Sequence, residues 1–190
     1  MRFEELPLPG VWSIELDLLG DERGWFARTF DVEEFRARGL QLEVAQCNAS
    51  FSARRGTLRG MHYQAEPHGE PKLVRCVRGA AFDVALDLRP ASPTRCRWHG
   101  AELSAENRRA LYLPPGVAHG FQTLVDDCEL FYQMGHRYVP EAVRGVRWDD
   151  PAFAIQWPPV ADGVRVISER DRSFADWEVE REGKFTSAKR

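Results

Sequence analysis

The sequence predicts an all-β protein, either a sandwich or a barrel closed to hide its strand edges. Apolar and polar residues alternate in short runs, which is the period of a strand with one buried face. Gly, Pro, Asn and Asp separate most of those runs, as tight turns require. One early segment carries a full set of helix start and stop signals.

Taken in order, Trp12, Ile14 and Leu16 alternate in the first run, and Phe82, Val84, Leu86 and Leu88 alternate in AAFDVALDLR. QLEVAQCNASF, GTLRGMHYQ, KLVRCVRG, CRWHGAEL, RALYLPP, AHGFQTL, CELFYQMG and GVRVIS read as further strands, about ten in all. The helix is DVEEFRARG, where Asp31 caps the N-terminus, Glu34 completes a capping box and Gly39 ends it. The spacing shows no internal repeat and no linker, so residues 1–190 are read as a single domain. From Asp171 onward the chain is strongly charged, and about 176–190 read as a polar tail with a short helical portion.

Composition narrows the function classes. A chain of 190 residues buries a substantial core, and 43% hydrophobic with 29% charged residues argues against disorder. Lys+Arg total 26 against 29 Asp+Glu, so the net charge of -3 supplies no global basic field for nucleic acid or an anionic membrane. No run approaches the ~20 apolar residues of a membrane span. The opening MRFEELPLPG lacks the apolar stretch of a signal peptide, so a cytoplasmic protein is expected. Cys47, Cys76, Cys96 and Cys128 are irregularly spaced without a C-x-x-C pair, and four buried or half-buried free thiols are expected. Among the basic residues 23 are Arg and three are Lys. Lys184 and Lys189 lie in the tail, which leaves Lys72 alone in the body of the chain.

Chemistry-bearing residues are densest between positions 56 and 79, where Arg59, His62, Tyr63, Gln64, His68, Glu70 and Lys72 lie close in sequence. Period 2 puts Arg59 and His62 on opposite faces of one strand, unless Gly60 introduces a bulge. His62 alone reads as a hydrogen-bonded core histidine, but a core strand rarely carries so many polar groups on both faces. In LYLPPGVAHGFQTL a sharp Pro114-Pro115-Gly116 turn precedes His119. Histidines on strands after such turns point to a cupin, a jelly-roll β-barrel. A metal-binding cupin needs two His and an acid in its first motif and a His in its second. Here His62 stands in place while His68 and Glu70 lie in a Pro/Gly-rich loop, so a metal site built from His62, His68, Glu70 and His119 is the weaker reading. Tyr132 in CELFYQMGHRYVP reads first as a packed aromatic, and Asp171 in ISERDRSF as a surface carboxylate. In DERGWFARTF, Arg23, Phe26 and Arg28 form a basic-aromatic group suited to a nucleotide, with guanidinium for phosphate and ring for base.

In order, DERGWFARTF, QCNASFS, GTLRGMHYQ, KLVRCVRG with DVALDLR, LSAENRRALYLPPGVAHGFQTL and GVRWDDPAFAIQWP ending in ISERD resemble the dTDP-4-dehydrorhamnose 3,5-epimerase family. The resemblance implies a metal-independent cupin, without cofactor, working as a homodimer on nucleotide-linked 4-keto-6-deoxy sugars. It implies His62 as base oriented by Asp171, Tyr132 as proton donor on the opposite face, and Lys72 as the cation beside the 4-keto oxygen. Gln46, Asn48, Arg59 and Arg23 match positions that hold the nucleotide and its diphosphate, Phe26 matches a place against the base, and His119 matches a substrate contact. Arg28 and Val143 depart from the pattern, since many members carry Glu at both positions, and the nucleotide base and the sugar stay open there. A non-catalytic sugar-nucleotide binder is the remaining alternative, and retention of His62, Tyr132 and Asp171 together argues against it.

Overall fold

The alternating segments form strands that stack as two facing sheets. A computed structural model of the chain describes residues 1–160 and 163–178. The strands are β1 (Arg2–Glu5), β2 (Trp12–Glu15), β3 (Leu19–Asp21), β4 (Gly24–Phe26), β5 (Gln46–Ser52), β6 (Thr57–Gln64) and β7 (Lys72–Arg78). They continue as β8 (Ala80–Asp87), β9 (Trp98–Ser104), β10 (Ala110–Leu113), β11 (Val117–Thr123), β12 (Cys128–Met134), β13 (Val143–Gly145) and β14 (Val166–Ile167). Two short helices, α1 (Val32–Arg36) and α2 (Glu169–Arg172), complete the set with a 3-10 turn at Pro140–Ala142. The first sheet runs β1-β2-β10-β7-β12-β5, and the second runs β13-β6-β11-β8-β9 with β14 parallel to β6. Strands β3 and β4 form a separate hairpin.

The second sheet is covered on its outer face as well as its inner one, which explains why its central strand β11 is buried at every residue. Between the sheets, Val74, Cys76, Leu111, Leu113 and Leu130 of the first meet Ala81, Ala85, Leu103, Val117 and Phe121 of the second. On the outside of the first sheet, Phe35 of α1 seals Ile14, Leu73, Ala110 and Tyr112. Its ring stands edge-on to Phe3, Phe30 and Tyr112 at centroid distances of 5.3, 4.9 and 6.1 Å. On the outside of the second sheet, Met61, Val84, Leu86 and Ala118 are covered by Val146, Phe153, Trp157 and Trp177. The apolar alternation Phe82–Val84–Leu86 therefore faces this outer layer, and the intervening Ala81, Asp83 and Ala85 face inward. The all-β, cupin-like class expected from the sequence is the one observed.

Several expectations are corrected in detail. β1, β3, β4 and β13 were not legible as strands, because each has at most four residues and little apolar alternation. Helix α1 starts at Asp31, whose Oδ1 accepts from the backbone N–H groups of Glu33 and Glu34. The reciprocal half of the capping box is replaced, since Glu34 Oε2 lies 3.6 Å from the N-terminal ammonium of Met1. Gly39, with φ +72°, takes the chain out of the helix as expected. At the other end, the described helix is α2, and residues 174–178 are not helical. Trp177 packs on Phe153 at 5.7 Å, so the body of the chain extends past 176. The rest of the expected polar tail, 179–190, lies outside the described residues. Cys76 and Cys128 are buried with Sγ atoms 3.8 Å apart, Cys96 is half-buried, and Cys47 is exposed rather than covered.

One backbone contact governs the interior. The β6–β11 register pairs His62 with His119 and Arg59 with Phe121, so two residues of β6 oppose Gly120 alone. This is the bulge that Gly60 allows, and it turns Arg59 to the same inward side as His62. Gly60 has φ +125°, and a Cβ there would lie 2.5 Å from Gly120 Cα and 2.9 Å from the His119 carbonyl oxygen. Only glycine meets both conditions. Gly60→Ala is therefore expected to lose at least ~2 kcal/mol of stability, read as a lower urea midpoint with the slope unchanged.

Candidate active site

At one end of the interlayer space the apolar lining gives way to a cavity of about 500 Å³. His62 from β6 stands on the second sheet, and Tyr132 from β12 stands on the first. Both line this cavity, with Lys72, Arg59, His119, Asn48 and Asp171 around them. The two catalytic candidates thus approach one space from opposite sheets.

His62 is held from behind. Its Nε2 lies 2.7 Å from Oδ1 of Asp171, and Oδ2 of the same carboxylate accepts from the Gly60 backbone N–H at 3.2 Å. Ser168 caps α2 and accepts from the Asp171 N–H at 3.1 Å, which fixes the helix that carries the carboxylate. Asp171 is only 4% exposed, against its reading as a surface acid. Burial raises its pKa, yet the hydrogen bond and charge of His62 with the Gly60 and Ser168 contacts outweigh that and hold it below the usual carboxylate range.

A second histidine–carboxylate pair lies alongside. His119 Nε2 is 2.7 Å from Asp83 Oδ2, and Asp83 is fully buried. Sequence reasoning passed over Asp83. Its only signal was an acid flanked at the neighbouring inward positions by Ala81 and Ala85.

Lys72 is 5% exposed, and its ammonium donates to the His62 carbonyl at 3.1 Å and pairs with Glu70 Oε1 at 3.1 Å. Glu70 also accepts from Gln64 Nε2 at 3.0 Å. Two of the three ammonium hydrogens are thereby engaged, and a third is left for a ligand. The Tyr132 phenol is 3.0 Å from Ser50 Oγ, and its ring stands edge-on to His119 at 6.0 Å. Burial pushes the Tyr132 pKa well above the usual phenol value, partly countered by the Ser50 hydrogen bond. Ser50 was a further residue that the sequence reading missed. Arg59 is anchored by Ser52 Oγ at 3.3 Å and the Phe51 carbonyl at 3.1 Å. Gln46 stands beside the cavity, 3.3 Å from Asn48 Oδ1, and accepts from the Tyr138 N–H at 2.7 Å.

Three expected residues are elsewhere. Arg23 and Phe26 belong to the β3–β4 hairpin, and neither lines the cavity of its own chain. Arg23 pairs with its neighbour Asp21, and its side chain is 84% exposed. Phe26 is 69% exposed, next to the exposed Leu19 and Trp25. Arg28 pairs with Asp31 at 2.8 Å, binding it to the cap of α1. Val143, the other departure, pairs with Gln64 across β13 and β6. His62, His68, Glu70 and His119 do not gather as metal ligands, since His68 packs on His136 at 5.3 Å while Glu70 is bridged to Lys72. Among the described residues no group of three or more His, Cys, Asp and Glu side chains is arranged to hold a metal ion. Among them, too, no helix is long and apolar enough to cross a membrane.

Comparison with known proteins places this arrangement. The family model for dTDP-4-dehydrorhamnose 3,5-epimerase matches residues 5–178. The chain belongs to that family. Its members are sugar-nucleotide epimerases, which makes the chain an isomerase. A dTDP-4-dehydrorhamnose 3,5-epimerase of Sinorhizobium fredii is 45% identical over 91% of this chain and 88% of the relative. A dTDP-4-dehydrorhamnose 3-epimerase of Streptomyces niveus is 42% identical over 90% of this chain and 82% of the relative. The crystal structure of the Bacillus anthracis 3,5-epimerase with TDP and PPi bound superposes with a TM-score of 0.88 at 36% identity, over 93% of this chain and 99% of that one.

The depressed Asp171 pKa has a pH signature. A carboxylate with a lowered folded-state pKa adds stability that is complete above its unfolded value of about 4 and is lost as pH falls through the folded value. Asp171→Asn is expected to flatten that acid limb, read as urea unfolding free energy measured from neutral pH downward. An acid limb as steep as in the wild type would place the titrating group elsewhere.

Proposed function

We propose that this chain inverts C3, C5 or both in a nucleotide-linked 4-keto-6-deoxy sugar, with dTDP-4-dehydro-6-deoxyglucose as substrate and a dTDP-4-dehydrorhamnose as product. The opposition of His62 and Tyr132 across one cavity carries the reading. A ketone at C4 acidifies the hydrogens on C3 and C5. His62, oriented by its 2.7 Å contact with the Asp171 carboxylate, takes one of them, and the electron pair moves into the C4 oxygen as an enolate. The free hydrogen of the Lys72 ammonium is available to that oxyanion. Tyr132 returns a proton to the same carbon from the other face, and the centre is inverted. One proton leaves and one enters, so no oxidant or reductant takes part.

The TDP-bound relative supports a thymidine nucleotide, with Asn48, Gln46 and Arg59 as its candidate partners and His119 as a sugar contact. Arg23 and Phe26 fit this reading only if the exposed hairpin serves the cavity of a second copy, so we infer a homodimer that completes each site with its partner's β3–β4. One domain, acting in the cytoplasm on a soluble sugar nucleotide, is sufficient for the chemistry. Rhamnose supply is the corresponding pathway role.

Incubating the protein with the 4-keto substrate in heavy water and counting deuterium at C3 and C5 tests this reading directly. Label at both carbons is expected for a 3,5-epimerase, and label at C3 alone for a 3-epimerase. His62→Ala is expected to abolish exchange at both, and Tyr132→Phe to keep exchange while losing inversion. Lys72→Met is expected to lower kcat by about 10²- to 10³-fold. Full exchange in His62→Ala would remove His62 as the base. Arg23→Ala is expected to raise KM while sedimentation still shows a dimer, and a monomeric wild type would remove the shared-site reading.

A further inference from the structure

We propose that Ser50 is the positioning residue and proton relay of Tyr132, returning a proton to the phenolate after each transfer to carbon. This rests on Tyr132 as the donor in the epimerisation. Tyr132 and Asn48 are direct partners across β12 and β5, and Ser50 follows Asn48 by two residues on the same inward face. Its Oγ meets the phenol at 3.0 Å, and among the described residues the phenol makes no other hydrogen bond. His119, whose ring packs edge-on to Tyr132, has its Nε2 committed to Asp83. Arg59 is engaged by Ser52 and the Phe51 carbonyl. The serine hydroxyl is thus the proton-bearing group in reach.

Its place in the fold suits a relay. Ser50 is half-buried, and β5 is the last strand of its sheet, with no described strand beyond it. Tyr132 lies one strand further in, flanked on its other side by β7. A proton bound for the phenolate has a short route through Ser50 on the end strand. The balance is simple. Tyr132 gives its phenolic proton to carbon, the phenolate takes the Ser50 proton, and the Ser50 oxygen takes one from water. The imidazolium formed at His62 returns its proton to solvent, so each turnover closes with no net change.

A serine that only packs would affect all steps together, whereas a relay separates them. In heavy water, deprotonation by His62 followed by return from the same side gives exchange without inversion. Ser50→Ala is expected to keep exchange near the wild-type rate while inversion slows about tenfold to a hundredfold. Ser50→Thr, which restores a hydroxyl on a strand, is expected to recover inversion. The relay is overturned if Ser50→Ala keeps the wild-type ratio of inversion to exchange, if both rates fall together, or if Ser50→Thr is as slow as Ser50→Ala. A wild-type protein showing neither exchange nor inversion would instead remove the epimerase reading, and the relay with it.

Discussion

Two backbones approach at Gly60 and Gly120 more closely than any side chain permits, and the site is organised around that contact. A Cβ on Gly60 would stand 2.5 Å from Gly120, and one on Gly120 would stand 2.9 Å from the Arg59 carbonyl oxygen. The closeness is accommodated as a bulge, and the bulge has two effects. It brings Arg59 to the side of His62, and it leaves the Gly60 N–H free of the ladder to donate to Asp171. A carboxylate buried this deeply needs several donors to stay ionised, and one of those it has traces to this irregularity.

The second organising feature is a set of three buried charge pairs at and beside the cavity. Asp171 faces His62, Asp83 faces His119, and Glu70 faces Lys72. Pairs of this kind add little net stability, because desolvation cancels most of the Coulomb gain. What they provide here is fixed orientation: each imidazole is held through Nε2, and the ammonium is held at its β7 position beside the His62 carbonyl. The apolar layers around them, including Trp157 and Trp177 outside and Phe121 inside, keep the cavity walls rigid enough for that orientation to matter.

Much of this was legible in the sequence, and for identifiable reasons. Alternation exposed the longer strands, Asp31 and Gly39 marked the helix, and GTLRGMHYQ with PPGVAHGFQTL marked both histidine strands. Lys72 stood out because the chain otherwise uses arginine. Burial of Asp171 was not legible, because nothing local in ISERDRSF distinguishes a carboxylate that folds under β6 from one in solvent. Asp83 and Ser50 were hidden for the same reason: their meaning depends on partners 36 and 82 residues away. For Arg23 and Phe26, sequence spacing carries no information that the fold leaves them on an exposed hairpin away from the cavity of their own chain.

Arg28 ties its own position to the folding of the first helix. Its guanidinium closes on Asp31, the same carboxylate that caps α1, and α1 carries the Phe35 that seals the outer face of the first sheet. A glutamate at position 28 would set two like charges against each other at the helix cap. The change at 28 is therefore not free to drift by itself. Any lineage moving between Arg and Glu here must also settle what happens at 31, so the two sites are expected to covary even though only one of them was singled out for ligand recognition.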